Sequence, residues 1–242
     1  MFGLGKQKRE NEENPVCVVI PAAGSSRRMG GENKLMMELC DIPVLVRTIS
    51  AFERCDCIDW IILTCREQDI IPYGRLMRAY GFEKVKHIVR GGKTRTESVL
   101  AGVRACPEKA RLVAVHDGAR PLVTEEVIRQ AVTAAAQCGA AAPVVPLKDS
   151  IKRVEKGKIL ADVPRVAIAA VQTPQVFTRA LLLEALEAAE KSGHTFTDDC
   201  AAVEALGADV CATTGSYENI KITTPEDIAV GEAILRRREE RE

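Results

Sequence analysis

The sequence predicts an α/β protein: a Rossmann-like, mostly parallel sheet flanked by helices, with a β-arm protruding from it. Three observations carry this expectation. Short β-branched apolar runs alternate with segments of helical period over residues 16–137. After Val144 that alternation breaks into a stretch with no helical period and a turn signal in its middle. The length, 242 residues, is ordinary for one α/β domain.

Residues 16–20 (VCVVI) are a continuous apolar run, the pattern of a strand buried on both faces. Residues 43–54 have helical spacing with proline at the first turn. A strand over 58–65 and a helix over 70–80, closed by Gly81, come next. A strand over 85–89 leads to a helix over 96–106. A strand over 112–116 leads to a helix over 124–137, where Val127, Ile128, Ala131, Val132 and Ala135 form one apolar face.

In LKDSIKRVEKGKILADVPRVAI, residues 147–168, Ile151, Val154, Ile159 and Leu160 flank the turn signal Lys156-Gly157, which predicts a hairpin. A lone hairpin is marginal and exposes its edges, so it needs a surface, either its own domain or a second subunit. A strand near Val171, helices over 179–191 and 198–206, strands over 208–213 and 219–223, and a helix from Pro225 complete the chain. The expected organisation is one domain over 15–242 with the arm, about 147–167, inserted in it. Residues 1–14 are read as a solvated leader.

Basic and acidic residues balance at 34 each, so no long-range field draws the chain to nucleic acid or to a membrane surface. No apolar run has the length of a membrane span, and the first residues lack a signal-peptide core. The nine cysteines contain no Cys-x-x-Cys pair and mostly sit in apolar segments. Reduced thiols in a cytoplasmic protein fit this better than disulfides or a zinc site.

Ligands of open parallel sheets bind beyond the carboxyl ends of the strands. The loop IPAAGSSRRMGGENK, residues 20–34, leaves the first strand at that edge. It matches neither the dinucleotide nor the Walker pattern. Its small-residue turn can point N–H groups at an anion, and Arg27, Arg28 and Lys34 follow. Solvated loop charges are the bland reading; the position after a first strand favours a phosphate cradle. In VHDGARP, Asp117 suits a divalent cation or a ribose hydroxyl and Arg120 a phosphate, or the pair is a cap with an exposed arginine. His116 reads as structural. In GGKTRTESV two glycines allow close backbone approach and Arg95 and Ser98 can bond a base or ribose, while Thr94 or Thr96 caps the helix. Thr173, Asp198 and Lys221, taken singly, are uninformative.

The segments PAAGSSRRMGGENK, GGKTRTESV, VHDGARP, TPQVF, TDDCAAVE and NIKIT follow in this order over nearly the whole chain after residue 15. Together they closely resemble the 2-C-methyl-D-erythritol 4-phosphate cytidylyltransferases of the non-mevalonate isoprenoid pathway, which have the nucleotide-diphospho-sugar transferase type of fold. The resemblance implies attack of the acceptor phosphate on the α-phosphate of CTP, with Mg²⁺ and release of pyrophosphate. It implies catalytic roles for Arg28 and Lys34 at the pentavalent transition state, and for Arg165 and Lys221 in placing the acceptor phosphate. CTP would be held by Pro21, Ala22, Ala23, Gly24, Ser26, Gly91, Arg95, Ser98 and Asp117, with Asp117 also at the metal. Arg120, Ser150, Thr173 and Asp198 would serve the acceptor. Ser150 would reach the neighbouring site through the arm of a homodimer. Asn33 stands where many members have proline, Ser26 where a glycine is common, and Ser150 where a threonine often occurs. Sister enzymes acting on ribitol 5-phosphate share most of these motifs. A non-catalytic nucleotide-binding protein would share the fold but would not need both Arg28 and Lys34.

Overall fold

The computed structural model describes residues 14–24 and 33–241. Most of the expected leader and Ser26, Arg27 and Arg28 lie outside the described residues. The sheet is built around β1 (Val16–Pro21), which pairs in parallel with β4 (Trp60–Cys65) on one side and β6 (Leu112–Val115) on the other. Two further two-residue strands, β2 (Glu38–Leu39) and β3 (Ile42–Pro43), form a small separate hairpin. Strand β5 (Val85–Arg90) continues the parallel set beyond β4.

The other side of the sheet departs from expectation. Strand β7 (Ala140–Pro146) is a sheet member the sequence pattern does not reveal. It has β11 (Gln175–Thr178) and β10 (Ala169–Val171) antiparallel to it, and β12 (Cys211–Thr214) parallel. The path runs β10-β7-β11-β6-β1-β4-β5, with β12 joined to β7, giving eight strands. AAAPVVP is hard to read as a strand because alanine has low strand propensity and Pro143 lacks an N–H. Here the ladder tolerates the proline at a switch point: Ala140 and Ala141 pair with β11, while Val144 to Pro146 pair with β10.

Along β1 successive side chains go to opposite faces. Val16, Val18 and Ile20 pack with Leu45, Ile49 and Phe52 of α1 (Val44–Arg54), with Tyr73 and Met77 of α2 (Ile70–Ala79), and with Ile128 and Ala131 of α4 (Glu125–Cys138). Cys17 and Val19 pack with Val99, Leu100 and Val103 of α3 (Arg95–Ala105), with Leu182 and Leu186 of α5 (Arg179–Ser192), and with Val203 of α6 (Asp199–Glu204). Helices thus cover both faces, as predicted. Helix α3 approaches β1 so closely that a Cβ on Gly102 would stand 2.3 Å from Val19 Cγ1, which explains a glycine in a helix interior.

The predicted hairpin is present as β8 (Ile151–Glu155) and β9 (Lys158–Val163), a two-stranded sheet apart from the main one. Lys156 and Gly157 both adopt positive φ, as a tight two-residue hairpin turn requires. Val154, Ile159 and Leu160 are exposed on it.

The predicted strand over 219–223 is not formed. Its backbone is bonded by side chains and a loop instead of a ladder. The Asn219 carbonyl accepts from Arg120 Nη1 and the Ile222 carbonyl from Lys34 Nζ, and Ile222 N donates to Ala119 O. Asp227 then accepts from the amides of Thr223 and Thr224, starting α7 (Pro225–Glu239) through a capping box.

Candidate active site

At the carboxyl edge of β1, β5 and β6 lies a cleft of about 470 Å³. Three chain segments predicted from the motifs meet there: Pro21, Ala23 and Gly24 from the first loop, Arg95 and Ser98 from the start of α3, and Asp117 after β6. Lys34 and Lys221 complete the lining from opposite ends of the sequence.

Asp117 is the focus of the charge. Its Oδ2 lies 2.8 Å from Lys221 Nζ and 3.5 Å from Arg120 Nε, and its Oδ1 lies 3.9 Å from Arg95 Nε. Burial by itself would push this carboxyl up. Lys221, Arg95 and Arg120 outweigh it and hold the group down at about 2. Among the described residues, Lys93, Arg95, Lys34 and Lys221 give the lining four cationic side chains against one carboxylate. That excess is local, in a chain whose total charge is zero, and it suits a polyanion.

Each element of the lining has a local cause. Asn33 anchors the return of the first loop: its Nδ2 donates to Tyr73 Oη on α2, and its Oδ1 accepts from Leu35 N. Those bonds order the turn, and Lys34 reaches across to the carbonyl of Ile222 at 3.0 Å. Thr94 caps α3 by accepting from Glu97 N. Ser98 Oγ donates to Thr94 O and accepts from Gly92 N, so the hydroxyl shapes the loop as well as lining the cleft. Gly92 is packed against the helix; a Cβ there would fall 2.2 Å from Glu97 Cβ. Gly91 likewise lies against Ser98 and Ala23, and Ala22 N donates to Thr64 O beneath the lining.

His116 is buried and structural, as expected. The Arg120 carbonyl can only accept, so His116 Nε2 carries the proton that bonds it at 3.1 Å. Nδ1 then accepts from Thr173 Oγ1, which itself accepts from Asp117 N. Thr173 therefore braces the backbone of Asp117 from within the core, and does not line the cleft. Burial drives the His116 imidazole down to about 4. In the unfolded chain it takes a proton near 6.5, whereas the fold refuses one until about 4, so stability is full above that window and falls as pH drops through it. Denaturant unfolding is expected to show a loss of about 2 kcal/mol between pH 7 and pH 5 from this residue. His116→Asn should flatten that slope; an equal slope in the variant would contradict the assignment.

Other predicted site residues sit elsewhere. Arg120 lies under Asp117, its guanidinium committed to Asn219 O at 2.7 Å. Asp198 caps α6 through Ala201 N and accepts from Gln175 Nε2. Ser150 and Arg165 are exposed on the arm, away from this chain's own cleft, with Arg165 Nη1 donating to Lys148 O. Lys93 and Asp199 are the residues that the motif reading passes over. Lys93 stands in GGKTRTESV directly after the paired glycines, and Asp199 directly follows Asp198. Asp199 is fully buried and bonds Arg95 Nη2 at 2.7 Å.

A cation-lined cleft with one anchored carboxylate, at the carboxyl edge of a parallel sheet, defines an α/β enzyme of the nucleotide-transferring class. The sequence matches the family described as 2-C-methyl-D-erythritol 4-phosphate cytidylyltransferase (IspD) over residues 16–237, and the chain belongs to that family. It is 46% identical over 225 residues to the 2-C-methyl-D-erythritol 4-phosphate cytidylyltransferase of Halalkalibacterium halodurans, covering 93% of this chain and 98% of that one. It is 45% identical over 219 residues to the Bacillus licheniformis protein of the same name, covering 90% and 94%. Among solved structures, the 4-diphosphocytidyl-2C-methyl-D-erythritol synthase of Anaerococcus prevotii superposes with a TM-score of 0.84 at 29% identity, covering 94% of this chain and 99% of that one.

Proposed function

We propose that this enzyme transfers the cytidylyl group of CTP to 2-C-methyl-D-erythritol 4-phosphate, giving the CDP-alcohol and pyrophosphate in the non-mevalonate isoprenoid pathway. The observation that carries the reading is the convergence of Lys34, Arg95, Lys221 and Asp117 on one cleft in a chain of this family. An oxygen of the acceptor phosphate attacks the α-phosphorus as the bond to the β-phosphate oxygen breaks, and pyrophosphate leaves with that electron pair. The attacking phosphate is already ionised near neutral pH, so no general base is needed. The difficulty is bringing two anions together, which closely placed cations relieve.

Within this reading the Pro21–Gly24 and Gly91–Ser98 loops hold CTP, and Lys34 stabilises the charge that grows on the equatorial oxygens. Arg28 and Ser26, outside the described residues, complete that loop. Lys221 lies on the acceptor side. A divalent cation such as Mg²⁺ fits the donor set, because one carboxylate plus substrate phosphates is a common way to hold it, and Asp117 is the carboxylate in the lining. Bound there, it would neutralise phosphate charge. Thr173 and Arg120 then brace Asp117 from behind, and Asp198 caps the helix that carries Asp199.

The exposed apolar arm fits a second copy of the chain, which would bring Ser150 and Arg165 to the neighbouring cleft and make a homodimer. Nine free cysteines, six of them buried, agree with a reducing cytoplasm. Among the described residues, no helix is long and apolar enough to cross a membrane. A pyrophosphate-release assay with CTP and either alcohol phosphate tests the reading: turnover with methylerythritol phosphate is expected. Preference for ribitol 5-phosphate, or binding of CTP without turnover on either, would overturn it.

A further inference from the structure

We infer that Asp199 is a positioning residue for the nucleotide end of the cleft, acting through Arg95. This rests on the reading of that cleft as the CTP site. Arg95 is the first residue of α3 and lines the cleft, yet its guanidinium is not anchored there. Its direct bond is to Asp199 at 2.7 Å, and the approach to Asp117, 3.9 Å, is too long for a hydrogen bond. A guanidinium is planar, so holding Nη2 sets the plane and direction of its remaining donors.

The anchor is itself rigidly held. Gln175, at the start of β11, accepts with Oε1 from the amides of Asp199 and Cys200, and donates with Nε2 to Asp198. Gln175 is buried and pairs in the sheet with Val115, two residues before Asp117. The Gln of TPQVF and the second Asp of TDDCAAVE thus join the sheet edge to Arg95. A buried ion pair of this kind is a poor device for stability, because desolvation offsets the attraction. Its geometry is what it adds: it fixes one cation in the cleft wall.

The position also tells which substrate it serves. Arg95 approaches Oδ1 of Asp117, while Lys221 and Arg120 hold Oδ2. Arg95 belongs to the Gly91–Ser98 segment, which the reading above gives to the nucleotide, and it meets the carboxylate at the oxygen that Lys221 does not hold. An interaction made equally in ground and transition states changes KM and leaves kcat alone.

Steady-state kinetics on wild type, Asp199→Asn, Arg95→Gln and the double variant test this. Asp199→Asn is expected to raise KM for CTP about tenfold, with kcat and the acceptor KM within about threefold of wild type. In the Arg95→Gln background it should add less than about twofold, because its route of action is already gone. Unchanged KM for CTP, an effect on the acceptor instead, or full additivity with Arg95→Gln would each overturn the role of Asp199. Should Asp199→Asn fail to fold, Arg95→Lys keeps the buried charge pair but loses the planar fork, and an unchanged KM for CTP in that variant overturns the proposal equally. A wild-type chain that neither binds nor turns over CTP would instead sink the reading of the cleft, and this inference with it.

Discussion

Lys34→Ala is expected to lower kcat by about 10²- to 10³-fold while weakening CTP binding far less. The ammonium lies in the cleft wall with a backbone carbonyl, Ile222 O, as one of its partners. It is held in place before substrate arrives, so little reorganisation opposes its action. Negative charge on the oxygens around the α-phosphorus increases as the acceptor phosphate attacks, and a fixed cation is worth most at that moment. Initial rates at saturating acceptor, with CTP affinity measured separately by calorimetry, separate the two effects. Equal losses in affinity and turnover would mean that Lys34 only binds the triphosphate.

Asp117→Asn is the second large effect, and it acts on both activity and stability. The substitution keeps the shape but removes the charge shared by Lys221, Arg95 and Arg120. Lys221 in the cleft and Arg120 beneath it then lose their carboxylate partner, Arg95 keeps only Asp199, and a divalent cation loses its carboxylate. Activity should fall by about 10²- to 10³-fold, and added Mg²⁺ should not restore it. The folded carboxyl titrates at about 2, below an ordinary aspartate, so its contribution to stability is present above about pH 4 and is lost as pH falls towards 2. The size of that contribution is about 2 kcal/mol. Denaturation curves at pH 6 and pH 3 should therefore differ more for wild type than for the variant. A variant with full activity at ordinary Mg²⁺ would remove Asp117 from the site.

The parallel half of the sheet is legible in the sequence because its strands are buried on both faces. VCVVI and WIILTC leave no other economical reading once an amphipathic helix separates them. One cap is also legible: Thr94, one of the two threonines offered, precedes its helix and accepts from the third residue on. Strand β7 is not, since three alanines and two prolines carry almost no strand signal. It becomes a strand through β10, β11 and β12, which lie far along the chain. NIKIT fails in the opposite sense. Its alternation resembles a strand, yet side chains of Arg120 and Lys34 and a loop carbonyl take its backbone groups.

The site divides in the same way. Residue type and place at strand ends suffice to mark the small-residue loop after β1, Lys34, Arg95, Ser98 and Asp117, whereas Lys221, uninformative singly, is marked only by the resemblance that the motifs carry together. By itself the sequence also determined the α/β class, the arm and the family. Tertiary structure alone decided which of the marked groups face the cleft and which brace it. Thr173 and Arg120 turned inward to hold Asp117 and Asn219, and Asp198 turned to a helix amide. Asp199, 104 residues from Arg95, became the anchor of that arginine. The physical reason is that a polar side chain's role is set by the partner it meets after folding, and such partners are non-local. Period and spacing record only the local chain.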